Sequence, residues 1–343
     1  MKVKKILVSV VLFTAVFFLI IETDIVTTAA QKALLLCATS VIPALFPFFV
    51  LTGLMVNCGT ITSVGNFFVP IADKLFKISG TGAVVFVIGI LCGYPTGAKV
   101  ISELNLSGRL TKEESERLLA FCNNSGPLFV IGAVGCGMLG NKNLGIVIYC
   151  IHVISAVITG VFLSLFAKEQ ERKIVINEVN LSFGEAFTES VENAVKSILN
   201  VCGYVVFFGC VVAVLKPYIP GVFINSLFEV TVGAKDIISS GLKLDDMMTL
   251  LSGTIGFGGV CVYFQIKGAT AKAKLSTACY LFGKVLQMTV SMALMKIYLM
   301  LNRDVTVFAP SIQIHQVSGA SCVIMIIFLM CAVFTLRRLT KKY

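Results

Sequence analysis

The chain has 343 residues, of which 57% are hydrophobic and only 13% are charged, and its formal net charge is +10. A soluble domain has about twice that share of charged residues, so this composition excludes a soluble domain, a disordered chain and a secreted disulfide scaffold. The basic residues are scattered and form no basic face with interleaved aromatic residues, so the positive charge does not indicate nucleic-acid binding.

Uncharged runs recur along the whole chain. About 20 apolar residues span a bilayer as a helix, and a helix satisfies its own backbone groups where water is absent. Such runs occupy residues 6–21, 33–56, 81–98, 118–139, 144–167, 197–215, 247–266 and 317–336. In a further run, 275–301, Lys284 and Lys296 are the only charged residues. We therefore predict an all-α polytopic membrane protein with about 8–10 transmembrane helices.

Residues 1–28 are predicted to form an N-terminal transmembrane helix. Lys2, Lys4 and Lys5 precede its apolar run, which is also the pattern of a cleaved signal peptide. We favour a retained signal anchor because the rest of the chain is embedded in the membrane. Residues 317–343 are predicted to form a last transmembrane helix with a basic tail. Since basic flanks stay in the cytoplasm, both termini are predicted to be cytoplasmic.

Polar interruptions recur in the same order in the two halves of the chain. The matched segments are Gly97-Ala98-Lys99 with Gly233-Ala234-Lys235, Ser107-Gly108 with Ser240-Gly241, and Ser125-Gly126 with Gly258-Gly259. We predict two repeats, 33–167 and 191–301, joined by a cytoplasmic polar linker, 168–190. The distribution of basic residues gives the repeats opposite orientations, which is the inverted-repeat arrangement of secondary transporters.

Helix breakers lie deep inside two runs of the first repeat. Proline removes a backbone donor and clashes with the preceding turn, and glycine weakens a helix further. Freed backbone groups are tolerated at membrane depth only inside protein or against a water-filled cavity, so broken or re-entrant helices indicate a transport site. The predicted substrate-binding residues are Gly93, Tyr94, Pro95, Thr96, Lys99, Asn123, Asn124, Ser125, Gly126 and Pro127, with Gly256, Gly258 and Gly259 in the second repeat.

Three further residues are secondary candidates: Lys235, Lys284 and His152. Lys284 lies deep in its apolar run, and an intramembrane lysine is a functional hypothesis by default. His152 is a proton-relay candidate or a hydrogen-bonded structural histidine. Lys99 and Lys235 are alternatively lysines that extend to the membrane surface. Gly256, Gly258 and Gly259 alternatively allow close helix packing. The polar stretch Asn123–Pro127 is alternatively a source of interhelical hydrogen bonds or a simple kink.

No catalytic residue, cofactor or metal site is predicted. The sequence lacks the H-E-x-x-H and G-x-S-x-G motifs. Its 12 cysteines include no C-x-x-C pair, so metal-ligand or redox spacing is absent. The chain is therefore expected not to be an enzyme.

Residues 92–99 (CGYPTGAK), 108–113 (GRLTKE) and 123–129 (NNSGPLF) resemble the YlbJ-type sporulation integral membrane proteins. These belong to the broader group with a nucleoside-transporter/FeoB gate, or nucleoside recognition, domain. The resemblance implies a multi-pass protein of the cell membrane of a spore-forming bacterium, located in the outer forespore membrane. It also implies transport of dipicolinate, an anionic solute.

The solute and the lipid bilayer are the partners that this resemblance implies. A homo-oligomer and sporulation membrane partners are left open. Two alternative functions also remain open: a nucleoside-type transporter, and a non-transporting membrane scaffold in a sporulation complex.

Overall fold

The structure is a computed structural model that describes residues 2–167, 181–218 and 222–302. Within these ranges every regular element is a helix. The predicted last transmembrane helix with its basic tail, and most of the predicted linker, lie outside the described residues.

The first half of the chain forms eight helices among the described residues. These are α1 (Lys2–Ile21), α2 (Thr23–Asn57), α3 (Thr60–Phe76), α4 (Gly80–Cys92), α5 (Thr96–Leu106), α6 (Lys112–Cys122), α7 (Leu128–Met138) and α8 (Lys142–Leu165). α7 is a π-helix, and α2 contains a π-helical turn at Cys37–Val41.

The second half contributes six helices within the described ranges. These are α9 (Phe183–Leu215), α10 (Val222–Phe228), α11 (Val230–Ile238), α12 (Leu244–Phe257), α13 (Gly259–Thr270) and α14 (Ala278–Leu301). α14 packs against α6, α8 and α12, so it lies between elements of the two halves.

The prediction of an all-helical, multi-pass membrane protein is confirmed. By length and composition, five helical segments of the described chain can cross a membrane: Thr23–Asn57, Lys142–Leu165, Phe183–Leu215, Leu244–Thr270 and Ala278–Leu301. A sixth results if α3 and α4 count as one span, although this pair is bent by 85°. The boundaries and opposite orientation of the two repeats stay predictions.

The predicted breaks divide two apolar runs into four short helices. α4 ends at Cys92 and α5 begins at Thr96, while α6 ends at Cys122 and α7 begins at Leu128. These helices have 11 to 13 residues. At 1.5 Å per residue each is about 20 Å long or less, which is shorter than the roughly 30 Å hydrocarbon core. None of the four can span the bilayer alone.

α6 lies at the centre of the larger apolar core. Thr111 caps its first turn by accepting a hydrogen bond from the backbone N–H of Glu114, which satisfies one of the free donors of a helix start. The side chains of Leu118, Leu119 and Phe121 are fully buried. α4, α5, α8 and α14 all pack around this helix. The end of α6 is therefore held in a fixed place relative to its neighbours.

We expect Gly89→Ala to lower the stability of the protein by at least about 2 kcal/mol, because the new side chain overfills a packed interface. A Cβ atom on Gly89 would lie 1.7 Å from the carbonyl oxygen of Cys122. Gly132→Ala is the matched control, since a Cβ atom there meets nothing within 4 Å. Thermal unfolding of the purified protein in detergent measures the difference. Equal melting temperatures for the two variants would contradict this packing.

Candidate functional site

The two breaks of the first half lie directly against each other. A Cβ atom built on Gly93 would be 3.0 Å from the backbone nitrogen of Gly126. Gly93 has a φ of 78°, a conformation that side chains other than glycine rarely adopt. A Cβ atom on Gly97 would lie 2.4 Å from the Cys122 carbonyl oxygen. The start of α5 and the end of α6 are therefore in backbone contact.

A second pair of breaks meets in the same way. α10 ends at Phe228 and α11 begins at Val230, while Gly258 separates α12 from α13. A Cβ atom on Gly259 would lie 3.2 Å from the Phe228 carbonyl oxygen. A Cβ atom on Gly258 would lie 3.9 Å from Cε1 of Tyr94. The second pair of breaks thus approaches the first pair at Tyr94.

One face of α14 supplies buried polar groups to this region. Lys284 is 2% exposed, and Gln287 and Ser291 are fully buried. Lys284 Nζ donates to Gln287 Oε1 at 2.7 Å, and Gln287 Nε2 donates to Asn124 Oδ1 at 2.9 Å. Gln287 Nε2 also approaches the His152 carbonyl oxygen at 3.4 Å. A continuous hydrogen-bonded chain therefore joins α14 to the first pair of breaks and to α8.

His152 holds the break after α6 in place. Its Nε2 accepts a hydrogen bond from the backbone N–H of Ser125 at 2.9 Å. Because Nε2 is the acceptor, the proton of the neutral ring lies on Nδ1. His152 Nδ1 has no hydrogen-bond partner and the residue is 1% exposed. This arrangement leaves a buried donor available in the same region as Lys284.

Several other buried polar atoms near the breaks also lack partners. They include Thr96 Oγ1, Lys99 Nζ, Asn123 Oδ1, Ser125 Oγ and Tyr280 Oη. The amide nitrogens of Asn123 and Asn124 donate to the carbonyl oxygens of Leu119 and Phe121, at 2.8 and 2.7 Å. Buried polar groups in proteins are nearly always hydrogen-bonded. The unpaired atoms beside the helix breaks therefore have free hydrogen-bonding capacity that a polar ligand could use.

Lys284 and Lys99 are both buried, but their electrostatic surroundings differ. Lys99 Nζ lies 4.0 Å from Glu103 Oε1 and 4.9 Å from the centre of the Phe49 ring, which belongs to α2. Lys284 has no carboxylate within ion-pair distance in the part of the chain that the structure describes. A buried ammonium group normally requires an anionic partner. Lys284 is therefore buried without a carboxylate partner, whereas Lys99 has Glu103 as a neighbour although its Nζ makes no hydrogen bond.

The structure brings most of the predicted site residues together. Tyr94 lies beside Ser125 and Tyr280, Pro95 precedes the first turn of α5, and Pro127 precedes α7. Gly256 packs against the Gln287 carbonyl oxygen, at 3.2 Å from its built Cβ atom. Lys235, by contrast, is exposed on α11.

Sequence reasoning missed three buried polar residues: Gln287, Ser291 and Glu229. Gln287 and Ser291 lie three and seven residues after Lys284, which is the spacing of one helix face, so this periodicity could have found them. Glu229 separates α10 from α11 and caps α11 by accepting from the Val232 N–H at 2.7 Å. It lies four residues before Gly233, just as Gly93 lies four before Gly97, so the internal repeat could have located this break.

Metal binding finds no support among the described residues. They contain no group of three or more His, Cys, Asp or Glu side chains that could hold a metal ion. A small cleft beside the second pair of breaks is lined by Ser226, Leu227, Leu250, Gly253, Thr254, Phe257, Met288 and Met292. Apolar side chains form most of this lining.

The chain is similar to a known protein over most of its length. It shares 24% identity over 324 residues with the sporulation integral membrane protein YlbJ of Bacillus subtilis, covering 80% of this chain and 79% of the relative. No family model matches the chain. No solved structure matches it.

Proposed function

Because this chain is related to the YlbJ-type sporulation integral membrane proteins, we propose that it is a secondary-type transporter of a small anionic solute, dipicolinate, during spore formation. The relative's name supports membrane integration and a role in sporulation. The transported solute is our proposal. We place the protein in the cell membrane, at the outer forespore membrane.

The observation that carries this proposal is the buried, carboxylate-free environment of Lys284. An ammonium group in such a place is stabilised when an anion binds beside it. The nearby breaks add the starts of α5 and α7, and a helix N-terminus carries roughly +0.5 elementary charge. One lysine and two such helix starts together match the two negative charges of a dicarboxylate.

The unpaired donors supply the remaining recognition. His152 Nδ1–H and the Tyr280 hydroxyl can donate to carboxylate oxygens, and both are buried without a partner. We assign the moving element to the two pairs of broken helices, whose breaks approach each other at Tyr94. In secondary transporters with inverted repeats, one bundle rocks against the other around such a midplane site. We expect that motion to expose the Lys284 region to each side in turn.

Uptake into proteoliposomes that contain the full-length protein tests this function. We expect saturable uptake of radiolabelled dipicolinate, inhibited by unlabelled dipicolinate and unaffected by uridine. Uptake or competition by uridine would favour a nucleoside-type transporter. Dipicolinate uptake no greater than in protein-free liposomes would contradict transport and favour a membrane scaffold.

A further inference from the structure

Resting on the proposed function, we propose that Lys284 is the proton site that couples transport to a proton. Lys284 is uncharged in the empty site and takes up one proton when the anion binds. Anion and proton then cross together, and Lys284 releases its proton when the anion leaves.

The hydrogen-bonding capacity around Lys284 fits the uncharged amine in the empty site. An ammonium group has three N–H donors and needs acceptors for them. Lys284 Nζ has one hydrogen bond, to Gln287 Oε1 at 2.7 Å. Lys284 itself is 2% exposed, and a charge removed from water without a partner is strongly disfavoured. The protonated form is therefore stable only when an anion is present.

The titratable groups around Lys284 supply no negative charge that could take the place of the bound anion. Cys122 of α6 and His152 of α8 interact electrostatically with the lysine. Tyr280 lies one turn earlier on α14, with its ring centre 6.0 Å from Lys284 Nζ. Beyond Tyr280 lie the rings of Tyr94 and Tyr263.

Charged groups of α6 also reach the start of α14. Glu116 accepts the backbone N–H of Ser276 at 2.8 Å, and Glu116 and Arg117 interact electrostatically with Cys279. The carboxylate of Glu114 interacts electrostatically with Cys122 and accepts the backbone N–H of Ser79. α12 meets α14 through Gly253 and Gly256, which do not titrate. The acidic residues of α12, Asp245 and Asp246, lie in the first turn of that helix. The contact of α12 with Gln287 is made by Gly256, near the other end of α12.

Thermodynamic linkage fixes the direction of the pH effect. If anion binding requires proton uptake, protons and the anion increase each other's affinity. Lowering the pH therefore strengthens anion binding, and raising the pH weakens it. One proton carried with a dianion leaves a net transfer of one negative charge. Each cycle forms one N–H bond on the entry side and breaks it on the exit side.

Two measurements on the full-length protein test the coupling. In weakly buffered detergent solution, a pH indicator should report about one proton taken up per dipicolinate bound. In a pH range where dipicolinate is fully ionised, its Kd should rise by up to about tenfold per pH unit. In proteoliposomes that enclose a pH-sensitive dye, dipicolinate entry should acidify the interior.

A lysine-to-arginine exchange identifies the residue that carries the proton. Arginine stays charged, so Lys284→Arg should bind dipicolinate without proton uptake and with a flat pH profile. Lys296→Arg is the matched control, because Lys296 is exposed on the same helix and should behave like the wild type. Proton uptake that persists in Lys284→Arg would assign the proton to another group.

The measurements on the wild-type protein test the coupling even if Lys284→Arg does not fold. Dipicolinate binding and uptake with no proton movement and no pH dependence would overturn the coupling and leave the proposed function intact. Absence of dipicolinate uptake under every gradient would overturn both.

Discussion

Replacing Lys284 with glutamine is expected to reduce the uptake of dipicolinate into proteoliposomes at least about 30-fold. Glutamine keeps a hydrogen-bonding group next to Gln287 but removes the positive charge that an anion requires. Losing one partner of a buried charge pair costs about 2 kcal/mol or more, which corresponds to a loss of at least about 30-fold in kcat/KM. Initial rates of radiolabelled dipicolinate uptake, normalised to the reconstituted protein, measure this loss.

Two lysine controls separate a specific effect from a general loss of charge. Lys296→Gln changes an exposed lysine of the same helix and should leave uptake unchanged. Lys99→Gln removes a lysine that already has Glu103 as a neighbour, 4.0 Å away, so its effect should be smaller than that of Lys284→Gln. Wild-type uptake in Lys284→Gln, or an equal loss in Lys296→Gln, would contradict the role of Lys284.

Asn124→Leu is expected to reduce dipicolinate uptake by about 10- to 100-fold while the protein still folds. The substitution removes the acceptor of the Gln287 amide, at 2.9 Å, and the donor to the Phe121 carbonyl oxygen, at 2.7 Å. Each buried polar group left without its partner costs about 1–3 kcal/mol. The chain of hydrogen bonds that runs from Lys284 through Gln287 to the break after α6 is thereby interrupted. Uptake rates and the melting temperature in detergent are measured on the same preparation.

A double-mutant cycle tests whether Asn124 acts through Gln287. If the two amides act as one unit, Asn124→Leu with Gln287→Leu should cost hardly more than either change alone. Asn200→Leu, on the exposed face of α9, is the matched control and should be neutral. If the losses of uptake in the two single variants add up in the double variant, Asn124 does not act through Gln287. If the loss of uptake in Asn124→Leu is explained by its lower melting temperature, Asn124 has only a packing role.

The helix breaks of the first half could be predicted because their cause is local. Proline and glycine act on the backbone at their own positions, and Pro95 and Pro127 lie where the runs 81–98 and 118–139 divide. Hydropathy alone counts those runs as spans, since it does not register where the chain turns. The short helices that result explain why the described chain has fewer full-length spans than apolar runs.

The assembled site could not be predicted because its contacts join distant parts of the chain. The approach of Gly93 to Gly126 depends on how α4 and α6 pack. The hydrogen bond between Asn124 and Gln287 joins residues 163 positions apart. Lys284 was a candidate from its depth alone, with no partner visible in the sequence. Gln287 becomes significant only once α14 is known to pack against α6 and α8.

The break between α10 and α11 shows a different limit of sequence reasoning. No proline or glycine marks it, and the apolar residues before Glu229 indicate a short surface or half-crossing element. The chain ends α10 there and begins α11 at the next residue, with the carboxylate of Glu229 as its cap. A side-chain cap can thus replace a backbone breaker, and only the alignment of the two repeats would have indicated it.

Equilibrium binding of dipicolinate to the purified full-length protein tests most directly whether the Lys284 region is an anion site. Calorimetric titration in detergent should give one saturable site in the wild type and in Lys296→Gln, and binding at least about 30-fold weaker in Lys284→Gln. Equal affinity in all three proteins, or no binding to the wild type, would contradict the account.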